Sequence, residues 1–113
     1  MNPIFKTIGI LVVVDMVWLL TGGIYARKMT ERIQGSPIQL RFISAALVYI
    51  FLAYLLLQTK SYKEAFMYGV SVYAVYDLTN YAIFEHYDWK FAIADSLWGG
   101  ILFVSARYLL KTL

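Results

Sequence analysis

The apolar residues of this chain fall into four long runs separated by short polar breaks. A bilayer core of about 30 Å takes roughly 20 apolar residues in a helix that rises 1.5 Å per residue. The runs Ile4 to Tyr25, Ile38 to Gln58, Phe66 to Phe84 and Phe91 to Leu110 hold 22, 21, 19 and 20 residues. Little remains beyond the termini and three connectors. The pattern predicts one all-α domain over residues 1–113, an integral membrane four-helix bundle with both termini on the same side of the bilayer.

The breaks carry helix-boundary chemistry. The first, Ala26 to Pro37, holds Arg27, Lys28, Glu31 and Arg32 and ends in Gly35-Ser36-Pro37. That ending predicts Ser36 as the N-cap and Pro37 as a first-turn residue of the second helix. In the second, Thr59 to Ala65, Ser61 and Glu64 have capping-box spacing. The third, Glu85 to Lys90, is the shortest and carries the single histidine, His86. Connectors this short make consecutive helices antiparallel neighbours. The first run has the full length of a span and contains Asp15 and Trp18, so it reads as a mature helix and not as a cleaved leader.

Composition agrees with a lipid solvent. Hydrophobic residues make up 61% of the chain and charged residues 15%, and the mean hydropathy is +0.64. Soluble domains run near 45–50% and 25%, and a globule this small leaves too much of its chain exposed to hide the difference. Cysteine is absent, which excludes disulfides and thiolate metal sites. No cofactor or metal motif is present, and the net charge of +3 is not gathered into a basic face for nucleic acid. Arg27, Lys28, Arg32, Arg41 and Lys90 lie towards one side, and Lys6, Lys60, Lys63, Arg107 and Lys111 towards the other. This balance leaves the orientation open, as for a chain that inserts both ways and forms an antiparallel homo-oligomer. Tyr25, Tyr62, Tyr87, Trp89 and Tyr108 fall where an interfacial aromatic belt belongs. Trp18, Tyr73, Tyr76 and Trp98 do not.

Three acids lie inside the spans. A carboxylate at mid-membrane costs roughly 2.5 to 3.5 kcal/mol on insertion scales, so it turns inward and takes a partner. Measured from the side of the first and third connectors, Asp15 is about 15 Å deep, Asp77 about 11 Å and Asp95 about 6 Å. Arg41, about 5 Å deep, is expected to pair with Asp95. Helical spacing puts Asp15, Trp18, Gly22 and Tyr25 on one face, and Gly69, Tyr73, Asp77, Asn80 and Phe84 on another. Asp95, Trp98 or Gly99, and Leu102 form a third. The acids are thus expected to meet in a hydrated, partly protonated centre, with Asp77 exchanging a proton, Asn80 holding its carboxyl and Asp95 kept ionised by Arg41. The plainer expectation is hydrogen-bond glue between helices, worth about 0.6 kcal/mol per bond.

The runs Tyr76-Asp77-Leu78-Thr79-Asn80-Tyr81-Ala82 and Asp95-Ser96-Leu97-Trp98-Gly99 resemble the family of small four-span membrane proteins called domain of unknown function 2177. Asp15-Met16-Val17-Trp18-Leu19 looks like its opening Leu-Asp-x-x-Trp-Leu element, with Val14 in place of the leucine. Phe84-Glu85-His86 and Gly100 depart from the family pattern. The resemblance implies a multi-pass membrane protein without an established activity.

Three function classes follow. The first is a proton-coupled or cation transporter or conduit, with Asp15, Asp77 and Asp95 as acceptors and Trp18, Tyr73, Tyr76 and Trp98 as aromatic lining. In outline this resembles the small multidrug-resistance transporters, although acids in the third and fourth helices depart from them. The second is a subunit of a larger membrane assembly, its acids satisfied by a partner's bases. An intramembrane enzyme comes third, because the Gly-x-Gly-Asp run of aspartyl proteolysis is missing before Asp95 and no catalytic group stands out. His86, beside Glu85 and Asp88, reads as a solvated group.

Overall fold

A computed structural model describes residues 3–113. Its elements are α1 (Pro3–Leu19), α2 (Gly22–Gln34), α3 (Phe42–Leu57), α4 (Tyr62–Ile83) and α5 (Trp89–Thr112), and no strand occurs among the described residues.

The first apolar run does not form one straight helix. α1 stops at Leu19, and α2 leaves at 72° to it. At the break, the Thr21 hydroxyl donates to the Val17 carbonyl at 2.7 Å, competing with the helical ladder, and Gly22 and Gly23 follow. Back-bonding of this kind bends helices. Much of the expected first connector is therefore helix. In α2, Met29, Ala26 and Ile33 face the protein while Arg27, Lys28 and Arg32 are exposed. Arg27 pairs with Glu31 at 3.6 Å. Gly35, at φ 75°, closes the helix in the left-handed region that only glycine enters freely.

The expected cap at Ser36-Pro37 does not form. The Gln34 side-chain amide donates to the Ser36 and Pro37 carbonyls at 2.8 and 2.9 Å, and the Ile38 N–H is taken by the Glu31 carboxylate at 3.1 Å. These bonds hold the link as irregular chain, and α3 starts at Phe42 with Arg41 as its N-cap. The capping box before α4 is present. Ser61 Oγ accepts from the Glu64 N–H at 3.1 Å, and the Glu64 carboxylate accepts from the Lys60 N–H at 2.7 Å, one residue earlier than the usual return bond.

By length and apolarity α5 qualifies alone as a membrane span, α1 and α2 qualify only as a bent pair, and α3 is a shorter apolar helix. The expectation of four separate full-length spans holds only in part: α1 and α3 end before their apolar runs do, and α4, although 22 residues long, is not apolar enough to qualify. α5 is the central element, packed against α4 along its length and against α1. Gly69 and Gly99 let α4 and α5 approach backbone to backbone: a Cβ on either would strike the carbonyl oxygen of the other. Leu11, Leu52, Leu56, Leu102 and Phe103 fill the core at one end of the bundle. The outer surface is apolar, with Phe42 77% and Ile43 81% exposed, whereas Asp15, Asp77 and Asp95 are 5, 0 and 7% exposed. Carboxyls inside and large apolar side chains outside is the arrangement that lipid demands.

Candidate functional site

Asp15-x-x-Trp18 on α1 and Asp95-x-x-Trp98 on α5 are the same motif on two antiparallel helices. They bond reciprocally. Trp18 Nε1 donates to Asp95 Oδ1 at 2.8 Å, and Trp98 Nε1 donates to Asp15 Oδ1 at 2.8 Å. Tyr25 of α2 donates to Asp88, which precedes α5. Asp15 with Trp98, Trp18 with Asp95 and Tyr25 with Asp88 fall on one antiparallel register that continues across the break into α2.

The rings of these residues form a column. Trp98 stacks on Trp18 with centroids 5.7 Å apart, Trp18 on Phe91 at 6.2 Å, and Phe91 on Tyr25 at 5.9 Å, with interplanar angles of 15°, 24° and 21°. The layers come alternately from α5, α1, α5 and α2. Each such contact contributes about 0.5–1.5 kcal/mol beyond burial. Each N–H or O–H of the column ends on a carboxylate of the opposing segment. Within a bilayer core no water would accept from those donors.

Each aspartate accepts from at least one aromatic donor. Asp15 also accepts from the Tyr49 hydroxyl of α3 at 2.6 Å. Asp77 accepts from the Tyr87 hydroxyl at 2.5 Å. Burial, and then the bond to Asp77, hold the Tyr87 phenol above its ordinary pKa, so it stays a donor. At the surface, Asp88 caps α5 by accepting from the Lys90 N–H at 2.8 Å. The Tyr25 bond, and then this backbone bond, hold its carboxyl below the usual carboxylate range. Asp77 Oδ2 is buried and meets no donor. Its neighbours are the Asp95 carboxyl and the Ser96 hydroxyl, whose hydrogen is already given to the Ala92 carbonyl at 2.7 Å. Asn80, expected to hold the Asp77 carboxyl, lies instead near the hydroxyls of Tyr76 and Tyr87.

A cavity of about 180 Å³ opens beside this cluster. Asp15, Trp18 and Leu19 of α1, Gly23, Ala26, Met29 and Thr30 of α2, Tyr73 and Tyr76 of α4, Tyr87, and Phe91 and Asp95 of α5 line it. The structure therefore brings Asp15, Asp95, Trp18, Tyr73 and Tyr76 to one cavity. Asp77 and Trp98 do not line it but contact residues that do, Asp77 through the Tyr87 hydroxyl and Trp98 through the Trp18 ring.

Arg41 is not with them. It is exposed and lines a separate hollow with Gln34, Ser36, Pro37 and Gln39. The expected pair with Asp95 is replaced by the Trp18 N–H and the Asp77 carboxyl. The physical reason is the late start of α3, which leaves Arg41 at the helix end, where its charge stays solvated. Of the residues expected in the aromatic belt, Tyr25 is exposed and bonds to Asp88, whereas Tyr87 is buried and bonds to Asp77. His86 is exposed beside Arg32.

The sequence reading missed Tyr49, Tyr87, Phe91 and Asp88 as parts of the cluster. Tyr49 carried a signal, since a hydroxyl in the middle of an apolar run needs a partner. Asp88 carried one too, an acid directly before an apolar helix. Tyr87 carried none, because its burial depends on how the connector folds back.

Comparison with curated proteins and with solved structures finds no significant match. The sequence model of the family described as "Predicted membrane protein (DUF2177)" matches residues 2–109. That stretch contains the reciprocal Asp-x-x-Trp motifs, the tyrosines and the three buried acids. With nearly the whole chain matched, and with carboxyls inside an apolar exterior, the chain belongs to the DUF2177 family of predicted membrane proteins.

Proposed function

We propose that this protein is a multi-pass carrier or conduit that exchanges a monovalent cation for a proton held between Asp77 and Asp95. In this reading α1, α3, α4 and α5 are the four spans of the bundle. α1 and α3 have 17 and 16 residues, and crossing a core of about 30 Å requires them to draw on flanking turns and local thinning of the bilayer.

One observation carries the reading: the unpartnered Asp77 Oδ2 beside the Asp95 carboxyl, at the wall of a cavity in whose lining no Lys or Arg appears. With both groups ionised, two acceptors would face each other and a buried oxygen would lack a donor. An unsatisfied buried acceptor costs about 1–3 kcal/mol, more when charged. A single proton between the two carboxyls removes the defect. A cation entering from the cavity reaches Asp95 and Asp15 and offsets the charge that appears when the proton leaves, which makes the two mutually exclusive occupants.

Flux tests this. Proteoliposomes carrying an internal pH dye and a proton gradient are expected to release protons when an external monovalent cation is supplied. Vesicles with Asp77→Asn are expected to behave like empty ones. Equal rates for wild type and variant would remove the proposal.

A further inference from the structure

Resting on the cation-exchange reading, we propose that the cavity binds a small organic ammonium ion of a few carbon atoms, in preference to a bare metal cation or a bulky organic cation. Size gives the first argument. About 180 Å³ is the room of roughly six water molecules at about 30 Å³ each, well below the 300–1,000 Å³ of a drug-sized site.

The donor set gives the second. No group of three or more His, Cys, Asp or Glu is placed to hold a metal ion among the described residues. Nor does the lining resemble the carbonyl rings that replace the hydration shell of an alkali cation. It offers instead two carboxyls, Asp15 and Asp95, with apolar wall from Leu19 and Met29 and ring surface from Tyr73 and Tyr76. An ammonium ion uses all three: N–H donors for the carboxyls, charge for the tyrosine rings and carbon for the apolar wall.

Tyr73 supplies the third argument. Its hydroxyl makes no hydrogen bond among the described residues, and its charged and titratable neighbours are Asp15, Asp95, Tyr49 and Asp77. Tyr76 of α4 and Tyr87 of the last connector complete the titratable groups around the Asp77–Asp95 pair. A free hydroxyl among acids marks a position for a ligand that gives and takes hydrogen bonds.

The exchange balances. The ammonium ion enters, the proton shared by Asp77 and Asp95 leaves to solvent, both carboxyls become ionised, and the net charge of the occupied site is unchanged.

The test uses the full chain in detergent. It is titrated calorimetrically with methylammonium, tetraethylammonium, sodium and potassium chlorides in two buffers of different ionisation enthalpy, while tryptophan fluorescence is followed in a Trp89→Phe background, where only the stacked Trp18 and Trp98 remain. Methylammonium is expected to saturate with one proton released per ion bound, and the other salts are not. Asp95→Asn should abolish both signals. Tyr73→Phe, which keeps the ring, should weaken binding several-fold and serves if the first variant fails to fold. Saturation by sodium or potassium without methylammonium would overturn the ammonium class and leave proton exchange standing. Tetraethylammonium binding as tightly as methylammonium would overturn the size limit. Methylammonium binding without proton release would keep the ligand and remove the exchange. Absence of any saturable binding would overturn the proposal, and the flux assay then decides the exchange reading separately.

Discussion

Gly69→Val is expected to leave no monodisperse folded protein in mild detergent, whereas Gly9→Ala should melt at or slightly above wild type. A Cβ on Gly69 meets the Gly99 carbonyl oxygen and, at 3.0 Å, the Phe103 Cβ. Overpacking a core costs about 1–3 kcal/mol when flexible side chains can give way. Here the obstacle is backbone on the facing helix, so α4 and α5 must separate, and Asp77 and Asp95 sit on those two helices. Even Gly69→Ala should lose several kcal/mol, on the order of the largest single-residue effects. Gly9 is the matched control: nothing lies within 4 Å of its Cβ position, and replacing a helical glycine there gains about 0.4–1 kcal/mol. Thermal unfolding followed by size-exclusion chromatography reads both. A folded Gly69→Val protein with wild-type stability would show that the seam is not as close as described.

The second large effect concerns the reciprocal pair. Trp18→Phe keeps the ring in the column between Trp98 and Phe91 but removes the N–H from Asp95. The expected loss is about 1–3 kcal/mol, the cost of leaving a buried acceptor without its donor. Asp95→Leu in the same protein should restore part of that loss, since no carboxylate then waits for a partner. A double-mutant cycle on detergent-solubilised protein should return a coupling of about 0.5–3 kcal/mol. Additive losses would mean that the indole contributes only its ring.

The parts of this site that were legible in the sequence are those tied to helical spacing and burial cost. An acid in a 20-residue apolar run must turn inward, and Asp15, Asp77 and Asp95 do. Trp18 and Trp98 follow their acids by three residues, which put each pair on one face. Their pairing across helices was not legible, because spacing within a helix says nothing about which residue of another helix stands opposite. Arg41 was misplaced for a related reason. Counting depth from the edge of an apolar run assumes that the helix begins there, and the Gln34 and Glu31 side chains hold Ser36 to Ile38 outside it. Thr21-Gly22-Gly23 announced the break after α1, but the hydropathy of the surrounding run concealed it. The all-α, membrane character depended on none of these details. Tyr87 depended on all of them, since a connector residue is buried only once the ends of α4 and α5 have met.

The central claim is that Asp77 and Asp95 together hold one exchangeable proton. Infrared difference spectroscopy of the protonated-carboxyl region, during an acid-to-alkaline titration of the protein in lipid, tests it most directly. Wild type should show a carboxylic acid band that disappears on titration and is displaced at constant pH by the bound cation, and that band should be missing from both Asp77→Asn and Asp95→Asn. A band that neither titrates nor responds to cations would contradict the account and leave a permanently protonated carboxyl that only joins helices.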